Sequence, residues 1–169
     1  YTLGTAAPLN ALDSVVCMGA SIGMAHGFTT VRPEKAASTV AVIGDSTFMH
    51  SGMTGIVNVA YNKGISTVLV LDNAITGMTG HQQNPTTGLT LRQQPTVAIR
   101  IEDVCRAAGI SRVRVVDPQD MAGVENALRE ELAAELGREL PMNRLLQGEV
   151  GSGKTVVALR AMAQVVDAG

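Results

Sequence analysis

Apolar positions follow two kinds of pattern along this 169-residue chain. T-V-A-V-I at 39–43 and T-V-L-V-L at 67–71 are unbroken runs rich in β-branched residues, and R-V-R-V-V follows at 112–116. Continuous runs of this length suit strands of a parallel sheet whose two faces are both covered. Between them lie helical patterns. One runs from a cap at Asp13 through Val15, Val16, Met18, Ile22 and Met24 to about Gly27. A second, of small residues, covers Gly52 to Asn62 and is stopped by Gly64; a third covers Ile101 to Ala108 and is stopped by Gly109. Met121, Val124, Leu128 and Leu132 stand three and four apart and mark one face of a fourth. Residues 29–38 read as a polar connection. Near the end, Arg144 to Gln147 forms a short strand candidate, and 153–166 a helix with Val156, Leu159, Ala163 and Val166 on one face. Strands alternating with helices predict a three-layer, doubly wound α/β fold with a mainly parallel sheet and right-handed crossovers.

Chemistry concentrates where the first two strands stop. Asp45 follows the first, in Gly44-Asp45-Ser46, and Asn73 follows the second, in Asp72-Asn73. Both side chains should emerge at the carboxyl ends of parallel strands, where open α/β sheets hold their ligands. A carboxylate and an amide oxygen suit Mg²⁺, which in turn holds a diphosphate. Residues 74–95 follow without periodicity, carrying Gly77, Gly80, Pro85, Gly88 and Pro95. A loop of that length in a compact domain reads as functional or mobile.

Gly-Asp-Ser followed at this distance by Asn resembles the thiamine diphosphate signature. G-D-S-T-F-x-H-S-G, Y-N-K, L-D-N and T-G-M-T-G-H-Q together resemble the cofactor domain of the indolepyruvate:ferredoxin oxidoreductase alpha subunit, over about residues 1–132. The resemblance implies Mg²⁺ held by Asp45, Asn73 and the backbone carbonyl of Ile75, and a diphosphate contacted by Gly44, Ser46 and Thr76. It also implies that Gly19, Ala20 and Ser21 help wall the cofactor; close helix–sheet packing is the other reading of those small residues. In that family a second domain supplies the glutamate that activates the aminopyrimidine, and iron–sulfur clusters take the electrons. The expectation for this chain alone is no oxidative decarboxylation.

From residue 133 the wording changes. Gly148 to Thr155 fits G-x-x-x-x-G-K-[ST], with a strand candidate before it and a helix candidate after it. Backbone N–H groups there would form an anion nest, Lys154 would add a charge, and Thr155 a Mg²⁺ ligand. P-M-N-R-L-L-Q-G-E-V-G-S-G-K-T-V-V-A resembles the first ATPase motif of RecG-type DNA helicases, over about 133–169. That implies weak ATP, ADP or phosphate binding at Gly148, Gly151, Ser152, Gly153, Lys154 and Thr155. No second acidic strand follows, so hydrolysis and unwinding are not expected. The two resemblances together read as an engineered chimera: one α/β domain over 1–169, joined within a helix near Glu130–Leu136, and without turnover. A fragment of a 2-oxo acid oxidoreductase and a nucleotide-binding module are the alternatives.

Composition narrows the rest. With two Phe, two Tyr and no Trp, the core must be aliphatic and Met-filled. A net charge of −2 gives no basic surface for nucleic acid, and no apolar run approaches membrane-spanning length. The expected partner is a small phosphorylated ligand, with self-association through the face that meets a second domain in the family. Cys17 and Cys105 lack metal spacing and read as buried free thiols of a reducing cytoplasm. His26, His50 and His81 form no metal spacing either; His81 lies in the T-G-M-T-G-H-Q loop, solvated or near a substrate. Beginning at Tyr, the chain reads as an excised, recombinant piece.

Overall fold

The computed structural model describes residues 2–133 and 144–149, with side chains through residue 130. Four strands, β1 (Val40–Gly44), β2 (Thr67–Asp72), β3 (Arg112–Val116) and β4 (Arg144–Glu149), form one sheet in the order β1-β2-β4-β3. Every pairing is parallel. The last strand of the described chain therefore lies inside the sheet, between β2 and β3. The expected pairing of Leu145 and Leu146 holds: they stand opposite Val68 and Leu69 on one side and Val113 and Arg114 on the other.

Among the described residues five α-helices complete the layers: α1 (Ser21–Val31), α2 (Asp45–Thr47), α3 (Met53–Tyr61), α4 (Ile101–Ala107) and α5 (Met121–Ala133). Successive strand residues point to opposite faces. Ala41, Ile43, Val68 and Val70 pack with Ile22 and Ala25 of α1, Ile56 and Val59 of α3, and Ile101 and Cys105 of α4. Val40, Val42, Leu69, Leu71 and Val116 face the other way and pack with Val124, Ala127 and Leu128 of α5. Two apolar cores, one on each side of the sheet, are the three-layer arrangement that the unbroken runs predict. Every residue of β2 is buried, as befits an interior strand.

The strand and α5 readings match the structure to within two residues, and three expectations change. The first helix runs from Ser21 to Val31, not from beside Asp13 to about Gly27, and a 3-10 helix at Pro33–Ser38 fills the rest of the expected polar connection. Gly19 has φ +91°, outside helical space, so it ends any continuous helix there, and Val15, Val16 and Met18 stay exposed. Gly19 instead passes so close to Ser51 that an added Cβ would lie 2.3 Å from Oγ. Close packing of α1 occurs at Ile22, whose Cβ would stand 3.1 Å from a Cβ on Gly55, whereas Gly23 and Gly27 face open space. Second, the helical path after β1 begins at Asp45, passes through a π turn at Phe48–Gly52 and continues as α3, so it precedes the expected start at Gly52. Phe48, an aromatic outside any apolar run, is fully buried by that turn. Third, Cys105 is buried as expected, but Cys17 is exposed because its segment is not helical. Among the described residues no helix is long and apolar enough to cross a membrane. The helix expected at 153–166 lies outside the described residues, as do residues 134–136 of the expected join.

Candidate cofactor-binding site

β1 ends in extended backbone at Gly44 (φ −81°, ψ 159°), and Asp45 opens α2. Asp45 is only 3% exposed. Asn84 Nδ2 donates to Oδ2 at 2.9 Å, and Thr86 Oγ1 lies 3.4 Å from the same oxygen. Burial pushes the Asp45 carboxyl above the usual carboxylate range. The Asn84 and Ser46 N–H bonds oppose that shift, and the nearby Asp72 charge reinforces it. Asp45 is thus a buried acid whose side-chain partners, among the described residues, are both neutral.

β2 delivers the second half of the site. Gly44 stands opposite Leu71 in the ladder, so the two strand ends lie side by side. Asp72 Oδ1 accepts from the Ala74 N–H at 2.9 Å, and Asn73 Oδ1 accepts from the Ile75 N–H at 3.1 Å. These two side-chain caps turn the chain sharply and hold Ala74 at φ +52°. The turn brings Thr76 back, and its Oγ1 lies 2.7 Å from Ser46 Oγ. Thr76 also pairs with Gln82 through an N–H to carbonyl bond of 3.0 Å.

Gly44, Asp45, Ser46, Asn73, Ile75 and Thr76 therefore all lie at the carboxyl edge of β1 and β2. Ser46 to Thr76 is the side-chain bond that joins the two strand ends, and Asn73 bonds Ile75 within the turn; Asp45 and Asn73 share no hydrogen bond. Asn84 and Thr86 did not emerge from the sequence as site residues. The only signal for them was an Asn-Pro turn in the aperiodic loop, which says nothing about a reach back to Asp45. His81 is exposed at φ +62°, and His50 Nδ1 bonds Ser51 Oγ at 2.9 Å. Gly148 stands in the same row of the sheet, opposite Leu71 and Val116, and Glu149 stands opposite Asp72. Gly151, Ser152, Gly153, Lys154 and Thr155 lie outside the described residues.

The donor set fits a small hard cation. Among the described residues no three His, Cys, Asp or Glu side chains cluster. One carboxylate, one amide oxygen and one carbonyl match Mg²⁺, which takes its remaining ligands from water and phosphate oxygens. A bound Asn73 would keep its Ile75 bond, because an amide oxygen has two lone pairs.

This α/β domain carries hard oxygen donors and a hydroxyl pair outside the carboxyl ends of neighbouring parallel strands, where open α/β sheets hold their ligands. The chain belongs to the thiamine pyrophosphate enzyme family, as its C-terminal TPP binding domain, whose model matches residues 2–138. It is 42% identical over 132 residues to indolepyruvate oxidoreductase subunit IorA of Archaeoglobus fulgidus, covering 78% of this chain and 21% of that protein. The same subunit of Thermococcus kodakarensis is 40% identical over 146 residues, covering 80% and 22%. The chain thus spans about a fifth of the length of these relatives. A shorter match, 50% identical over 52 residues, covers 31% of this chain and 7% of the ATP-dependent DNA helicase RecG of Mycobacterium leprae. In fold, the chain is similar to a thiamin diphosphate-dependent enzyme from Mycobacterium smegmatis, with a TM-score of 0.50 and 20% identity, over 80% of this chain and 22% of that one.

Proposed function

We propose that this chain binds thiamine diphosphate through Mg²⁺ at the carboxyl edge of β1 and β2, as the cofactor domain of an IorA-like oxidoreductase. The observation that carries the reading is the buried Asp45 carboxylate, held by neutral donors beside the Asn73–Thr76 turn. A buried anion with no cationic side chain is costly, and a bound cation relieves that cost. Asp45, Asn73 and the Ile75 carbonyl hold the metal. Gly44, Ser46 and Thr76 meet the diphosphate, where Gly44 lets phosphate approach the backbone and the two hydroxyls donate to its oxygens. When bound, thiamine diphosphate supplies a nucleophilic carbon for attack on a 2-oxo acid. Oxidation of an aryl 2-oxo acid such as indolepyruvate is the activity proposed for a full-length protein of this kind.

This reading stands ahead of an engineered, turnover-free chimera, because the family match and the IorA matches extend over about four fifths of the chain. A second reading attaches to the last quarter alone. The RecG-like match and the course of β4 to Glu149 favour a phosphate cradle over Gly148–Thr155, with weak ADP or phosphate binding in which Lys154 supplies charge and Thr155 a Mg²⁺ ligand.

Calorimetric titration with Mg²⁺–thiamine diphosphate and with Mg²⁺–ADP separates the two. Cofactor binding lost with Asp45→Ala and kept with Lys154→Ala is expected. Cofactor heat that survives Asp45→Ala overturns the first reading, and ADP heat that survives Lys154→Ala overturns the second.

A further inference from the structure

Asn84 has a bonding pattern that loop architecture alone does not require. It is 7% exposed. Its Oδ1 accepts two bonds, from the Thr86 N–H at 2.8 Å and from Thr86 Oγ1 at 2.7 Å. Two donors on that oxygen fix which end of the amide is which, so Nδ2 must face Asp45. Its backbone carbonyl is also taken, by the Thr87 N–H at 3.1 Å and Thr87 Oγ1 at 2.9 Å. The amide therefore cannot turn, and its single bond out of the loop goes to Asp45 Oδ2 at 2.9 Å. Thr86 Oγ1, whose one proton goes to Asn84 Oδ1, anchors that amide and lies 3.4 Å from the same carboxylate oxygen. Among the described residues no side chain bonds the other oxygen.

We propose that Asn84 is a positioning residue for Mg²⁺: by holding Oδ2 of Asp45 from one side, it sets the carboxylate plane so that Asp45 meets the cation in the octahedral geometry Mg²⁺ demands. The inference rests on the reading of Asp45 as a metal ligand and goes beyond it, since Asn84 itself does not touch the metal. Groups that orient metal ligands commonly govern affinity about 10–100-fold. Mg²⁺ requires near-ideal octahedral ligands, whereas Ca²⁺ accepts variable geometry and number. A carboxylate freed to rotate should therefore lose Mg²⁺ far more than Ca²⁺, which a residue that merely stiffens the loop would not cause.

The test is calorimetric titration of the chain, in the presence of thiamine diphosphate, with Mg²⁺ and separately with Ca²⁺. Wild type is compared with Asn84→Ala, Thr86→Val and Thr87→Val, and thermal unfolding of each metal-free variant is followed in parallel. Thr87→Val removes a loop bond that does not reach Asp45, so it controls for loop integrity. Asn84→Ala is expected to raise the Mg²⁺ Kd at least about tenfold while changing the Ca²⁺ Kd much less. Thr86→Val should shift Mg²⁺ binding in the same direction by less, and it serves if Asn84→Ala does not fold. Thr87→Val should lower the melting temperature and leave both affinities within about twofold. Equal loss of both cations in Asn84→Ala and Thr86→Val, or a Mg²⁺ loss in Thr87→Val as large as theirs, overturns the inference. So does unchanged Mg²⁺ affinity in both variants. If wild type itself shows no Mg²⁺ binding that depends on Asp45, the metal-ligand reading falls too.

Discussion

Asn84 donates a 2.9 Å hydrogen bond to the buried carboxylate of Asp45 across thirty-nine positions of sequence. That bond ties the long loop after β2 to the residue that opens α2. The loop and the strand end are one site rather than two neighbouring features.

The raised Asp45 pKa sets a pH dependence. Between the ordinary aspartate value and the raised one, the folded chain keeps a proton that the unfolded chain has released. Stability without metal therefore falls as pH rises through that window, and it stays lower above it. Asp45→Asn should remove this slope and raise the metal-free melting temperature at neutral pH by a few degrees, on the order of 1 kcal/mol. The same variant should abolish the thermal shift given by Mg²⁺–thiamine diphosphate. Thermal unfolding from about pH 4 to pH 7, with and without metal and cofactor, checks both. A wild-type slope that persists in Asp45→Asn would assign it to another group.

Thr76→Val keeps the shape of the side chain but cuts the 2.7 Å bond to Ser46. A hydrogen bond of this kind contributes about 1 kcal/mol, so the urea midpoint should fall modestly. Because the bond also pins the turn against Gly44-Asp45-Ser46, cofactor affinity should fall by about an order of magnitude, near 1.4 kcal/mol. Affinity within twofold of wild type would separate the turn from cofactor binding.

Gly19 combines two constraints, a φ of +91° and a contact with Ser51 that leaves no room for a Cβ. Gly19→Ala should cost about 2 kcal/mol or more in chemical unfolding. Gly19→Ala with Ser51→Ala should recover only part of this, since Ser51 Cβ would still lie 2.8 Å away and the φ strain remains. Full recovery would assign the whole effect to the Ser51 hydroxyl.

The two cysteines should differ sharply in reactivity. Burial pushes the Cys105 thiol up to about 12, and it lies in the core beneath α4. Cys17 is exposed. At pH 8 an aromatic disulfide reagent should label one thiol quickly, and Cys17→Ser should abolish that phase. Cys105 should react only as the chain unfolds. Two fast thiols in the native wild type would contradict the burial of Cys105.

The sequence by itself determined the layers. The unbroken runs at 39–43 and 67–71 already required a sheet covered on both faces, because no polar alternation offers a solvent side. Spacing along 121–132 likewise required one apolar helix face, and the position of Gly44-Asp45-Ser46 and Asn73 at strand ends was legible from where those runs stop. Only the tertiary structure decided the rest. The position of β4 between β2 and β3 depends on pairing between distant segments, which no local pattern encodes. The irregular course before Ser21 was hidden because Val15, Val16 and Met18 imitate a helical face, and the clash-free passage of Gly19 past Ser51 overrides that spacing. Asn84 was invisible for a similar reason: its amide matters through a carboxylate thirty-nine residues away, and a hydrogen bond across folded space leaves no period in the chain.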